Sequence, residues 1–279
     1  MSISAHHAAF VRDLVQFRSA IVLDASKLYL LETRLAPIAA SNGFTNIDDL
    51  IVEVRKEAPR VTGSGRDPAP LQKKIVEALT TNETSFFRDV WPFEALRRVL
   101  LPAFVERRVW PKIWCAACST GQEPYSIAML IAEHFPSLAE RGPVVVATDL
   151  SDQVLARAAE GRYSQLEMNR GLPATYMVRH FDRAGTEWRV KPAVRRLVEF
   201  SSLNLLDQWP LRGAPDIVFM RNVLIYFDHP TKVGLLRRVR ETLAPSGALF
   251  LGAAESPIQI DDAWDRRPFE KWAYYGVKS

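Results

Sequence analysis

Apolar positions recur at helical spacing over the first eighty residues and in short unbroken runs after residue 109. Phe10, Val11, Leu14, Val15 and Phe17 outline one amphipathic helix. Leu28, Leu30, Leu31, Leu35 and Ile38 line a second, which Ser26 can start and Asn42-Gly43 stops. Asn46 caps a third, with Ile47, Leu50, Ile51 and Val54 facing inward. Residues 59–70 are loop by composition, and 71–79 resumes a helix. These elements predict a small helical domain and linker over 1–80. A helix over 91–107 follows, with Phe93, Leu96, Val99, Leu100, Phe104 and Val105 as its apolar side.

Beyond it the period changes. Apolar strands at 109–117, 144–148, 217–220 and 248–251 alternate with helices near 123–135, 152–160 and 230–243. This alternation predicts an α/β fold with a parallel sheet covered on both faces. Residues 161–200 interrupt it: 187–190 and 197–200 read as strands, 183–186 as a turn and 173–180 as a short helix. They predict a small β insertion. Residues 269–275 read as one final strand, returning antiparallel.

Composition narrows the function. Apolar residues make up 48% of the 279, enough for a folded core. The net charge of +4 allows an acidic partner but lacks the concentrated basic stripe of a nucleic-acid binder. No apolar run reaches membrane-spanning length, and the N-terminus lacks a signal-peptide pattern, so a cytoplasmic protein without membrane insertion is expected. Cys115 and Cys118 have C-x-x-C spacing. Zinc needs about four ligands, and His6, His7, His134, His180 and His229 are scattered, so the cysteines read as packing residues and no metal is expected.

The stretch 113–126 carries the chemistry. A strand turns through Ala117-Cys118-Ser119-Thr120-Gly121 into a helix with Pro124 in its first turn. Such a turn points backbone N–H groups at an anion. It has one glycine, so neither the dinucleotide fingerprint nor a P-loop is present. Asp149 ends the next strand, where a carboxylate can accept two ribose hydroxyls. A nucleoside site without a pyrophosphate loop points to S-adenosylmethionine, its amine met by an acidic or carbonyl oxygen. Thr81 to Asp89 reads either as a capped connection or as a lid, with Phe86 and Phe87 packing.

Thr81-Asn82-Glu83-Thr84-Ser85-Phe86-Phe87-Arg88, Ala116 to Ser126, Ala147-Thr148-Asp149, Phe200 to Leu205 and Arg221 to Asp228 occur in an order that resembles the CheR-type chemotaxis receptor methyltransferases. The likeness covers nearly the whole chain. It implies a Rossmann-like class I methyltransferase sheet over 81–279, with its β insertion at 161–200, plus the all-α N-terminal domain. It implies methyl transfer from S-adenosylmethionine to glutamate carboxylates on the cytoplasmic helices of chemoreceptors, giving methyl esters and S-adenosylhomocysteine. Carried onto this sequence, the cofactor contacts are Asn82, Thr84, Arg88, Glu123, Asp149, Asn204, Leu205, Arg221 and Asn222, and the catalytic pair is Arg88 and Tyr226.

The residue types suit that reaction. A glutamate is already ionised near neutrality, its reference pKa being about 4.3, so it needs no general base. It needs in-line placement, for which Arg88 offers a planar fork and Tyr226 a hydroxyl. Other readings stay open. Arg88 can pair with Asp89 or Glu94, Tyr226 can be a core aromatic, Glu123 can favour a helix start, and Asp149 can cap the next helix. Rival functions are a methyltransferase acting on RNA or a small molecule, and a non-catalytic cofactor-binding module. Asn222-Val223-Leu224-Ile225-Tyr226 lacks the Pro-Pro common after the Asn or Asp of nucleic-acid amino-methylating enzymes. Some members of the family grip a receptor-tail peptide through the insertion; the short turn at 183–187, with Gly185 alone, predicts docking without that peptide. A monomer is expected, and Lys27, Arg34, Arg55 and Lys56 can give the helical domain a basic side.

Overall fold

The computed structural model describes residues 3–24, 26, 28–57 and 69–278. Lys27 and most of the loop at 59–70 lie outside the described residues. The chain divides into two compact units, one of residues 1–81 with 226–231, the other of 82–225 with 232–279.

Among the described residues the first unit holds the helices α1 (Ala5–Ser19), α2 (Leu28–Ser41), α3 (Ile47–Lys56) and α4 (Pro70–Leu79). Asn46 caps α3 by accepting the Asp49 N–H at 2.8 Å. Val11, Val15, Leu31, Leu35, Ile47, Leu50, Ile51, Val54 and Ile75 are buried and form its core. Phe17 and Leu28, read as core-facing, are instead 66% and 41% exposed. Arg34 also departs from its expected surface role. Its guanidinium turns in and donates to the carbonyls of Ala78 and Thr80 at the end of α4, where a cation meets unpaired carbonyls. Arg55 lies over the Phe10 ring at 4.6 Å, and Lys56 pairs with Glu53 at 3.0 Å.

The second unit opens with α5 (Trp91–Ala95) and α6 (Leu101–Arg107). Between them, Leu96–Leu100 is a π-turn in which the Leu101 N–H reaches back to the Leu96 carbonyl. The extra residue rotates the face that follows. Leu101 is therefore buried, while Val99 and Val105, expected inside, are 44% and 38% exposed. Next come β1 (Ile113–Ala116), α7 (Gln122–His134), α8 (Pro136–Ala139), β2 (Val145–Asp149) and α9 (Asp152–Glu160). The insertion is β3 (Arg162–Ser164), α10 (Gln165–Met168), α11 (Ala174–His180), β4 (Phe181–Ala184), β5 (Glu187–Val190) and α12 (Pro192–Arg195). Then follow β6 (Val198–Ser202), β7 (Ile217–Phe219), α13 (His229–Thr242), β8 (Ala248–Phe250), β9 (Trp264–Phe269) and β10 (Trp272–Val277).

Seven strands form one sheet in the order β6-β2-β1-β7-β8-β10-β9. All neighbours from β6 to β8 are parallel, and β10 runs antiparallel to both β8 and β9. This is a Rossmann-like doubly wound sheet, and its order reverses between β1 and β7. Ile113, Cys115, Val145, Ala147, Phe219 and Phe250 bury one common core with α7. Both cysteines belong to that core, free and buried, and burial pushes their thiols well up, which keeps them protonated.

Two sequence expectations change. Residues 198–202 leave the insertion and pair with β2 as the edge of the main sheet, Val145 opposite Val198. One side of an edge strand faces solvent, so its pattern alternates as an insertion strand's would. The run 269–275 is not one strand but a hairpin turning at Glu270-Lys271, with Glu270 at φ 52°. That turn lacks the Asn or Gly that usually signals it. The β6-to-β7 connection carries no helix; residues 203–215 are irregular, and Trp209 packs on Trp114 at 4.8 Å.

The strand-to-helix turn after β1 is built on left-handed backbone: Ala117 at φ 57°, Ser119 at 52° and Gly121 at 92°. A Cβ at Gly121 would stand 2.9 Å from the Ala158 Cβ and 3.1 Å from the Tyr163 hydroxyl. Only glycine satisfies both constraints. Gly121→Ala is expected to lower stability by about 1–3 kcal/mol, read as a lower urea midpoint at unchanged m-value.

Candidate active site

Four turns converge at the carboxyl ends of the central strands, where a doubly wound sheet binds its ligand. They follow β1, β2, β7 and β8 and lie beside the irregular segment 82–90. Two of these turns, after β1 and β7, and the segment 82–90 share an uncommon backbone. Of the nine described non-glycine residues with positive φ, six fall here: Phe87, Asp89, Val90, Ala117, Ser119 and Asn222. Left-handed non-glycine residues concentrate where strain serves a site.

The centre is a buried ion cluster. Arg221, just past β7, has a side chain 1% exposed. Its Nη1 donates to Glu123 Oε2 at 2.6 Å, and its Nη2 donates to Asp89 Oδ2 at 2.7 Å and to the Arg88 carbonyl at 2.8 Å. Arg221 therefore positions Glu123 and the backbone of Arg88 through both terminal nitrogens, while its buried Nε has no hydrogen-bond partner among the described residues. Two carboxylates face one guanidinium, so the cluster carries a surplus negative charge. Burial raises the Glu123 carboxyl above its ordinary value of 4.5, although Arg221, and more weakly Arg88, favour ionisation. Such a carboxylate, 12% exposed, suits an ammonium group.

Asp149 closes the next side. Its Oδ2 accepts the Ser119 N–H at 2.8 Å and its Oδ1 accepts the Ser151 N–H at 3.1 Å. The cap of α9 is Ser151, which accepts the Val154 N–H. An ionised carboxylate has about four acceptor sites, so these bonds are compatible with hydroxyl donors from a ligand. Asn82 joins through its carbonyl, which accepts the Ser119 hydroxyl at 2.7 Å. Thr84 is half-buried in the same segment. Asn204 and Leu205 follow β6, and the Leu203 N–H donates to the Asp149 carbonyl at 2.9 Å. The Asn204 side chain accepts the Leu206 N–H at 3.0 Å, and the Leu205 carbonyl accepts from Trp209 Nε1 at 3.2 Å and Arg238 at 2.8 Å.

Arg88 is half-buried, and its Nη1 donates to the Glu83 carbonyl at 3.2 Å. The alternative reading pairs it with Asp89 or Glu94, but both are engaged elsewhere, Asp89 with Arg221 and Glu94 with Arg97, each at 2.7 Å. Phe86 and Phe87 pack, Phe86 edge-on to Tyr163 at 5.0 Å and Phe87 edge-on to Phe93 at 5.1 Å. The Phe87 N–H donates to Ser126 Oγ at 2.9 Å, fastening the segment to α7. Tyr226 ends a single 3₁₀ turn, half-buried, and belongs with 226–231 to the helical unit. Its carbonyl accepts the Val22 N–H at 2.9 Å.

Sequence reasoning missed Glu255. This buried carboxylate accepts the N–H groups of Asn222 at 2.8 Å, Gly252 at 2.7 Å and Ile225 at 3.3 Å. It fixes the turn after β7, with Asn222 at φ 58°, against the turn after β8. A lone acid after a buried strand is the only sequence signal, and it does not say which amides it will meet.

The description "CheR methyltransferase, SAM binding domain" matches residues 82–270. The chain belongs to the CheR methyltransferase family. Its cofactor is S-adenosylmethionine, and the donor set fits that molecule: a surplus carboxylate for an ammonium, a carboxylate for ribose and a turn of backbone amides. Among curated relatives of this CheR domain, Chemotaxis protein methyltransferase Cher2 of Pseudomonas putida is 41% identical over 262 residues, covering 90% of this chain and 92% of its own. Chemotaxis protein methyltransferase 1 of Pseudomonas aeruginosa is 41% identical over 248 residues, covering 87% of each. The chemotaxis protein methyltransferase of Vibrio anguillarum is 39% identical over 265 residues, covering 91% of each.

Two outcomes are expected. Glu255→Ala should cost about 3 kcal/mol, because buried N–H donors are left unmet, and urea titration reads it. The pH dependence runs through Glu123. Its raised pKa means the folded chain holds that proton where the unfolded chain has lost it, so the ionised group lowers stability as pH rises through the window. Ligand affinity runs the opposite way, since an ammonium needs the carboxylate. Calorimetric affinity for S-adenosylhomocysteine should fall as pH is lowered, beginning above the ordinary 4.5, and Glu123→Gln should flatten that dependence.

Proposed function

We propose that the protein transfers a methyl group from S-adenosylmethionine to glutamate side-chain carboxylates of chemoreceptors. The observation that carries this reading is the Arg88 guanidinium. It stands close enough to influence Glu123, in a site whose neighbouring charged side chains, Glu123, Asp89 and Asp149, are carboxylates apart from the paired Arg221. An anionic acceptor needs a cation there, and a neutral acceptor does not. The relatives named as chemotaxis protein methyltransferases support the same substrate class.

In this reading Glu123 receives the cofactor's amine and Asp149 its ribose. Thr84, Asn82 and Asn222 border the same molecule, and Asn204 and Leu205 border the adenine. The bound cofactor supplies an electrophilic methyl on a sulfonium. Arg88 holds the acceptor carboxylate, with its backbone pinned by Arg221. The grip must weaken as the carboxylate loses charge, because an interaction equally strong before and during transfer does not raise turnover. Tyr226 orients the acceptor through its hydroxyl. We assign no peptide grip to the insertion, whose β4–β5 hairpin turns through two residues, Gly185 and Thr186.

The test is transfer of tritiated methyl from S-adenosylmethionine to receptor-bearing membranes. Base-labile label on the receptor is expected; base-stable label on RNA would refute the reading. Arg88→Ala should lower receptor kcat/KM by about tenfold to a hundredfold more than it lowers affinity for S-adenosylhomocysteine. Equal losses would remove Arg88 from the acceptor side.

A further inference from the structure

Tyr163 belongs to the insertion, yet its hydroxyl bonds outside it. It donates to the Thr120 carbonyl at 2.7 Å, in the turn between β1 and α7. The ring is fully buried, and burial holds the phenol well above its ordinary range, so the group remains a donor. The far side of the same peptide is also fixed, because the Gly121 N–H donates to the Cys118 carbonyl at 3.1 Å. The peptide joining Thr120 to Gly121 is thus held at both its oxygen and its hydrogen. Its plane sets how the chain enters α7, and therefore where Glu123 stands two residues later.

The insertion supports the opposite wall as well. Phe86, two residues before Arg88, packs edge-on to Tyr163 at 5.0 Å and to Phe181 at 5.7 Å. Its carbonyl sits against Gly171, where a Cβ would come within 2.2 Å. Tyr163 therefore touches the backs of two walls of the site, one by hydrogen bond and one by ring contact.

We infer that Tyr163 is a positioning residue for the cofactor: its hydroxyl sets the peptide plane of the turn that presents Glu123, so the insertion tunes cofactor affinity from behind the site. This rests on reading that turn as the cofactor's. It does not depend on which acceptor is methylated.

Tyr125 supplies a matched comparison. It is equally buried, and its hydroxyl donates at 2.8 Å to the Ala158 carbonyl, away from the turn's peptide. Removing the Tyr163 hydroxyl deletes one buried hydrogen bond, worth about 1 kcal/mol of stability; the Tyr125 hydroxyl also meets Arg195, so its loss costs at least as much. Tyr125→Phe should therefore lower the melting temperature at least as much as Tyr163→Phe. Titration of each with S-adenosylhomocysteine should separate them. Tyr163→Phe is expected to raise Kd by about fivefold to tenfold, with KM for S-adenosylmethionine rising in parallel and KM for receptor unchanged. Tyr125→Phe should stay within about twofold of wild type.

A Kd for Tyr163→Phe within twofold of wild type, or equal weakening in both variants, would overturn the inference while leaving the cofactor reading intact. Wild-type protein that fails to bind S-adenosylhomocysteine would overturn both. Hydrogen exchange on wild-type protein decides the matter if Tyr163→Phe does not fold. Saturating S-adenosylhomocysteine should slow amide exchange across residues 162–164, and unchanged exchange there would count against the inference.

Discussion

The site depends on one buried guanidinium. Arg221 joins the turn after β7 to Glu123 on α7 and to Arg88 and Asp89 in the segment before α5. A buried ion cluster is weak evidence for stability, because desolvation offsets much of the Coulomb attraction. What it supplies here is geometry and charge. One cation orients two carboxylates and fixes the backbone of the arginine beside them, so the carboxylates of the cluster outnumber the guanidinium that joins them. Burial, more than the neighbouring Asp89 charge, raises the Glu123 carboxyl, and its ionised form suits a cation.

Around that cluster the protein relies on backbone amides. Asp149 is fastened by the amides of Ser119 and Ser151, and Glu255 by those of Asn222, Gly252 and Ile225. Each carboxylate satisfies N–H groups that the left-handed turns would otherwise leave unmet. Strained turns and buried acids thus stabilise one another, and the helices and strands behind them hold the strain in place. The insertion extends this support, since Tyr163 bonds the Thr120 carbonyl and Phe86 packs on Tyr163.

Much of the fold was legible because its periodicity is strong. The face of Ile47, Leu50, Ile51 and Val54 is wholly buried, and the runs before Asp149 and Arg221 are parallel strands. What was not legible has local causes. The π-turn at Leu96–Leu100 adds a residue without any glycine or proline inside it to announce it. Glu270 takes a left-handed turn that its side chain gives no reason to expect. Arg34 and Arg221 show the same limit for charge. Composition reads Arg34 as a surface cation and the resemblance makes Arg221 a cofactor contact, while tertiary contacts send the first to helix-end carbonyls and pair the second with Glu123 and Asp89. At the site, motif order placed Glu123, Asp149 and Arg221 near one another. It did not reveal that Arg221 works through Glu123, nor that Glu255 holds the turn beside it.

The proposed role of Glu123, oriented by Arg221, is to receive the cofactor's amine. Its most direct test compares binding of S-adenosylhomocysteine with that of its analogue lacking the α-amino group, on wild-type protein and on Glu123→Gln. A charge-assisted hydrogen bond in a partly buried site is worth about 1.5–3 kcal/mol, so wild type should prefer the amine-bearing ligand by about tenfold or more. In the Glu123→Gln variant that preference should collapse. An equal preference in the two proteins would rule out that role for Glu123.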